Sequence, residues 1–207
     1  MATVQTVLDG SKYDLRNFGS MDFDDTEMIH YLNRAIKILD YELISLNSDQ
    51  TLTESTVSLT SGTDVVAVPT IYTVNIRQIW NSDEEPLYKQ EPMWIYERRM
   101  HRDGDTAEPN YWAHIGNNIE FEVTADATYS FTVYHDDTST VLTAVGDSMP
   151  YNDVYNESLR ETIVMMGRSR MDKKFIQSDA AYSSVFRAIV QQDMINRNFV
   201  PKYLPDF

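Results

Sequence analysis

Apolar residues recur at intervals of three and four through "DFDDTEMIHYLNRAIKILDYELISL": Ile29, Leu32, Ile36, Leu39, Leu43 and Leu46. That spacing predicts a helix with one apolar stripe. Asp24 has Glu27 three residues on, the form of a capping box, and Phe23 and Met28 have hydrophobic-staple spacing. "NSDQ", residues 47–50, ends the helix. The heptad-like spacing also suits a coiled coil, but the run is short and packing within its own domain is the simpler outcome.

From residue 51 the period changes to two. "STVSLTSGTDVVAVP" reads as strand, turn, strand, with Ser61 and Gly62 at the turn. "TVNIRQIW" places Val74, Ile76 and either Gln78 or Trp80 on one face. "YWAHIGNNIEFEV" reads as a hairpin turning at Gly116, Asn117 and Asn118. "TYSFTVYH" sets Tyr129, Phe131 and Val133 against Ser130, Thr132 and Tyr134. One interruption, "EPMWIYERRMH", reads as a helix with Pro92 in its first turn. Short strands separated by turn signals predict a small antiparallel β-sandwich or barrel.

After Pro150 the helical period returns. Tyr155, Leu159, Ile163 and Met166 share a face, and Arg168, Arg170, Lys173 and Lys174 follow near the C-terminal end, where cations suit the helix dipole. Gly167 inside this helix costs about 1 kcal/mol against alanine, so close packing is its expected reason. A further helix is expected from an N-cap at Ser178, with Val185, Phe186, Ile189 and Val190 on its apolar side. The predicted class is α+β: a helical bundle from 22–50 and 150–196, an inserted β-module at 51–149, and an extended tail at 197–207.

The tail changes the functional picture. Pro201 and Pro205 forbid a regular helix. In a β-extended chain Phe199, Pro201, Tyr203, Pro205 and Phe207 would share one face of rings, with Leu204 on the other. Such a strip needs a surface, supplied either by its own domain or by another chain.

Charge narrows the partners. The chain of 207 residues carries a formal charge of −15 at pH 7, so sequence-specific nucleic-acid binding is not expected. About 16 acids and 5 bases fall in residues 51–150, while the remainder towards the C-terminus is close to balanced. No cysteine is present, which removes disulfides, thiolate metal sites and cysteine nucleophiles. No apolar run approaches a membrane span, and no signal peptide is expected.

Candidate chemistry is sparse. His30, His101, His114 and His135 lack zinc-like spacing, and structural or solvent-exposed roles are expected for them. "HRDGDTAEPN" shares only composition with a calcium loop. Glu120 and Glu122 are a carboxylate pair on one strand face, expected to be the wet face of "IEFEV". No nucleophile elbow, Walker loop or dinucleotide fingerprint occurs. Arg98, Arg99 and Arg102 form a basic knot and are candidate inter-subunit contacts or ties to acids of this chain. No catalytic residue, metal or cofactor is expected.

Three segments together resemble the head-to-tail adaptor proteins of tailed bacteriophages, especially the short-tailed kind. They are "LNRAIKILDYEL" in an N-terminal helix, the span from "SLTSGTDVVAVP" to "YSFTVYH", and "LTAVGDSMPYNDVYNESLRETIVMMGRSRM". The resemblance covers roughly residues 24–195. It implies a structural virion protein of the neck, assembled in the host cytoplasm as a homo-oligomeric ring of about twelve copies. Portal and tail proteins would be its partners. Genome DNA would pass through without specific binding, and Phe199, Pro201, Tyr203, Leu204, Pro205 and Phe207 would dock on the portal. Two other readings stay open: another tail or baseplate component, and a carbohydrate-binding β-module using Trp80, Trp94 and Trp112.

Overall fold

The computed structural model describes residues 3–16, 23–101, 104–171 and 180–196. The chain divides into two compact units, residues 1–50 with 139–207 and residues 51–138. The class is α+β, with five helices and two sheets among the described residues.

The first unit is helical: α1 (Val4–Arg16), α2 (Asp25–Ser45), α4 (Asn156–Met171) and α5 (Ala180–Asn196), with a 3-10 turn at Asp153–Tyr155. In α2 the Asp24 carboxylate accepts from the Glu27 N–H at 2.7 Å, and Phe23 and Met28 are both buried. Glu27 does not close the capping box; its carboxylate accepts from the Tyr31 hydroxyl and pairs with Arg170. The stripe of Leu32, Ile36, Leu39 and Leu43 is buried against Tyr155, Leu159, Ile163 and Met166 of α4 and its approach, and against Phe186 and Val190 of α5. The expected N-cap at Ser178 lies outside the described residues, as does the tail at 197–207.

Helix α1 is absent from the periodicity-based prediction. Its stripe is present, since Val4, Val7, Leu8 and Leu15 are buried, but Asp9-Gly10-Ser11 in its middle has the composition of a turn. Packing on α4 overrides that preference. Residues 139–149, placed with the β-module by their lack of helical period, belong to the helical unit. Asn33 brackets the Leu142 peptide, donating to its carbonyl and accepting from its N–H, both at 2.9 Å. The carbonyls of Val145 and Asp147 accept from the N–H groups of Gln5 and Val4, satisfying orphan donors at the start of α1.

Gly167 has the expected packing reason. A Cβ there would lie 2.8 Å from both methyls of Leu15, which is almost wholly buried and has nowhere to go. Gly167→Ala should therefore destabilise by about 1 kcal/mol. Overpacking of roughly 1–3 kcal/mol outweighs the helix-propensity gain of about 1 kcal/mol. A urea titration showing a stability gain would exclude this contact.

The second unit holds a three-stranded sheet in the order β1 (Leu52–Leu59), β7 (Tyr129–Asp137), β3 (Thr73–Trp80). Beside it is a four-stranded sheet in the order β2 (Val65–Ala67), β6 (Asn118–Phe121), β5 (Tyr111–Ile115), β4 (Tyr88–Lys89). All pairs are antiparallel except β4–β5. The two sheets share one core but do not close into a barrel. Val57, Leu59, Ile76, Ile79, Phe131 and Val133 meet Trp112, Ile119 and Phe121. The β5–β6 hairpin turns at Gly116-Asn117, with Gly116 at φ 61 as a two-residue turn of this hand requires. In β3 the buried pair is Ile76 and Ile79, not Val74 and Ile76. Register shifts between Thr73 and Asn75 and between Ile76 and Gln78 break the alternation. Helix α3 (Pro92–His101) starts at Pro92 as expected and packs on β5.

Candidate functional site

Few ionisable groups are buried, and nearly all of them work as internal ties. In the helical unit Asp40 of α2 is buried. Its carboxylate accepts from the Ser139 N–H at 2.8 Å, from the Ser139 hydroxyl at 2.9 Å and from the Tyr151 hydroxyl. Burial pushes the Asp40 carboxyl above the ordinary carboxylate value, against the pull of these donors. Burial, with the neighbouring Asp40 charge, pushes the Tyr151 phenol up as well. Asp193 of α5 accepts from the Tyr155 hydroxyl at 2.7 Å and from Gln50 Nε2 at 2.8 Å. Gln50 and Ser139 are the residues at which the chain leaves and re-enters this unit, so a buried carboxylate holds each crossing point. Asp193 could have been found from sequence, because it continues the stripe of Phe186 and Val190 at helical spacing.

In the β-unit Asp136 is wholly buried. It accepts from Arg77 Nε at 3.0 and 2.9 Å, from the Thr51 hydroxyl at 2.8 Å and from Asn75 Nδ2 at 3.2 Å. On the other face of β7, His135 Nδ1 lies 2.7 Å from Asp137 Oδ1 and its Nε2 lies 2.9 Å from Ser55 Oγ. Serine, histidine and aspartate in this order have the hydrogen bonds of a nucleophilic triad. Their setting differs: His135 is sealed from solvent, and Ser55 sits within the β1–β7 ladder opposite Val133, not on a sharp turn. Thr73 donates to Asp137 at 3.0 Å, and the group forms a polar end to the sheet's inner face.

Glu120 and Glu122 are not the wet face expected of them: both are buried. Glu122 accepts from the backbone N–H groups of Asn110 and Tyr111, each at 3.0 Å. Glu120 accepts from Arg99 at 2.8 Å. Arg99 also donates to the carbonyls of Phe121 and Asp64 and pairs with the Asp64 carboxylate at 3.1 Å. Of the basic knot, Arg99 is thus spent on its own unit. Arg98 stacks on Trp94, with its guanidinium carbon 6.0 Å from the ring centroid and its Nε buried without a hydrogen bond. Arg102 lies outside the described residues. Among the tryptophans proposed for sugar stacking, Trp112 is fully buried in the shared core, and no sugar can reach its faces.

Among the described residues no cluster of His, Cys, Asp or Glu is arranged to hold a metal ion. No helix among them is long and apolar enough to cross a membrane. Exposed large apolar side chains remain on both units, including Tyr13 and Tyr41 on the helical one and Ile71, Tyr88, Met93 and Met100 on the other.

No curated protein matches the chain. The family model of the SU10 adaptor protein matches residues 2–201, nearly the whole of it. With that match spanning both units, the chain belongs to the SU10 adaptor protein family, the phage head-to-tail adaptor kind that its helix and strand segments resemble.

Proposed function

We propose that the protein is a structural connector of the virion neck: a ring of about twelve copies below the portal, joining capsid to tail and letting DNA pass. Family membership over residues 2–201 is the observation that carries this reading. The charge of −15 per chain supports it, because an acidic wall does not hold phosphates as DNA moves past. The ring body in this reading is the helical unit, since the acidic surplus lies mainly in residues 51–150 and would repel neighbouring copies there. An end-on cryo-EM class average of neck-containing particles tests it. About twelve-fold symmetry is expected, and a density for this chain away from the portal would overturn it.

Residues 199–207 are proposed to dock on the portal protein through Phe199, Pro201, Tyr203, Leu204, Pro205 and Phe207. The prolines deny this segment a helix and reduce the freedom lost on binding, while the rings supply burial. Fully extended, residues 197–207 reach about 36–40 Å beyond α5, enough to contact a neighbouring protein. Deleting Phe199–Phe207 should abolish or sharply weaken portal binding in a pull-down and leave the melting temperature of the free protein nearly unchanged. Replacing Phe199, Tyr203 and Phe207 by alanine should reproduce most of the loss, whereas Lys202→Ala should do little. A fall of many degrees in melting temperature with binding intact would make the tail part of the protein's own core.

A further inference from the structure

The helical unit carries two unlike surfaces on two different helices. On α1 the side chains of Thr6, Asp9, Tyr13 and Arg16 form an exposed stripe, and Tyr13 leaves 67% of its surface in solvent. Helix α1 packs chiefly on α4. Helix α5 packs on α2 and α4, and between α5 and α2 lies an open groove of about 500 Å³. Its lining includes Glu42, Ser184, Arg187 and Ala188. Three of its lining residues, Ser183, Ser184 and Ala188, have small side chains, which leave room for an aromatic ring. Arg187 is 61% exposed at its side chain and reaches the buried Glu42 only at 3.3 and 3.4 Å. From Ser183 to Gln192 helix α5 has no acidic residue, in a chain whose net charge is −15.

A closed ring needs a heterologous contact, in which one patch of each copy meets a different patch of the next. Two complementary patches on separate helices satisfy that requirement, and tyrosine is among the residues enriched where an interface concentrates its binding energy. We propose that neighbouring copies join head to tail, with Tyr13 of one copy seated in the α2–α5 groove of the next and Asp9 paired with Arg187 there. The proposal rests on the ring reading above and names its interface. The Asp9 carboxylate accepts from Gln5 Nε2 at 2.7 Å on the exposed helix face and keeps its second oxygen for a neighbour. Arg187 gains a counter-ion from the next copy without leaving Glu42, because a guanidinium has five donors. Like-charge repulsion between acidic copies is lowest where the surface is uncharged or cationic, and α5 offers that surface.

The chain contains no cysteine, so engineered ones report without background. Arg16→Cys with Gln191→Cys, which leave the Tyr13 anchor in place, treated with a short bismaleimide in assembled neck particles, should give a ladder of dimers, trimers and higher multimers on a denaturing gel. Either single variant should give only monomer, because a heterologous contact does not bring identical positions together. Ser184→Trp, which fills the groove without altering charge, should lower multimer yield at least tenfold with the melting temperature kept. Asp9→Lys, which sets a second cation against Arg187 and leaves the Arg187–Glu42 pair untouched, should do the same. If the unaltered chain forms rings but the double-cysteine variant gives no ladder, or stops at dimers, this interface is wrong and the ring stands. If particle images show no ring of the unaltered chain, the ring reading and this interface fall together.

Discussion

Asp136→Ala should cost the β-unit about 3–5 kcal/mol, the range for breaking a buried ion pair by removing one partner. The carboxylate is wholly buried, and the Arg77 side chain that grips it is only 18% exposed. Removing Asp136 takes from that guanidinium the carboxylate it grips, in a setting with little solvent to screen the charge, and leaves the Thr51 hydroxyl and Asn75 amide without this acceptor. Arg77→Ala should cost a similar amount, because it leaves the carboxylate as the uncompensated charge. The double change Arg77→Met with Asp136→Leu should recover most of the loss, since apolar packing replaces a buried pair at little net cost. Denaturant titration of all three variants measures this. Two single losses below about 1 kcal/mol would place the pair in the solvent-screened class of surface ion pairs.

The second large effect belongs to the helical unit. Leu39→Ala should lose roughly 2–5 kcal/mol, the range for deleting a buried leucine side chain and leaving a cavity. Leu39 is fully buried in the core that α2 shares with α4 and α5. Its neighbours on the stripe, Ile36 and Leu43, are held by the same packing and cannot collapse inward without moving α2. Chemical denaturation followed by helical circular dichroism reads the loss. A value below about 0.5 kcal/mol, typical of surface substitutions, would mean that this face is not the core. Because the helical and β-units have separate cores, Leu39→Ala and Asp136→Ala should add nearly independently.

The two losses differ in how they could have been foreseen. Leu39 was legible: cap, staple and stripe all lie within one stretch of chain, and short-range rules govern them. The same holds for Pro92 opening α3, for the turn at Gly116, and for Phe131 and Val133 facing inward along β7. These are decisions a helix or strand makes with its own residues. Asp136 was not legible. Arg77 is 59 residues away from it in sequence, and Ser55 is 80 residues from His135. Nothing local in "SFTVYHDD" says that its histidine and an aspartate are sealed.

The exceptions to periodicity have the same origin. Helix α1 forms across Asp9-Gly10-Ser11 because α4 receives Val4, Val7, Leu8 and Leu15, with Leu15 seated over Gly167. Ile76 and Ile79 face inward together because pairing with β7 shifts register between them. Glu120 and Glu122 are dry because α3 and the Asn110 backbone bring donors to them, which alternation along one strand cannot reveal. Sequence alone thus determined the type of every helix but α1, the α+β class and, through the pattern of its segments, the adaptor resemblance. Tertiary structure decided which polar groups are buried, where strands slip and which surfaces stay open. Periodicity records how a segment presents its own side chains, whereas burial depends on what another segment lays across them.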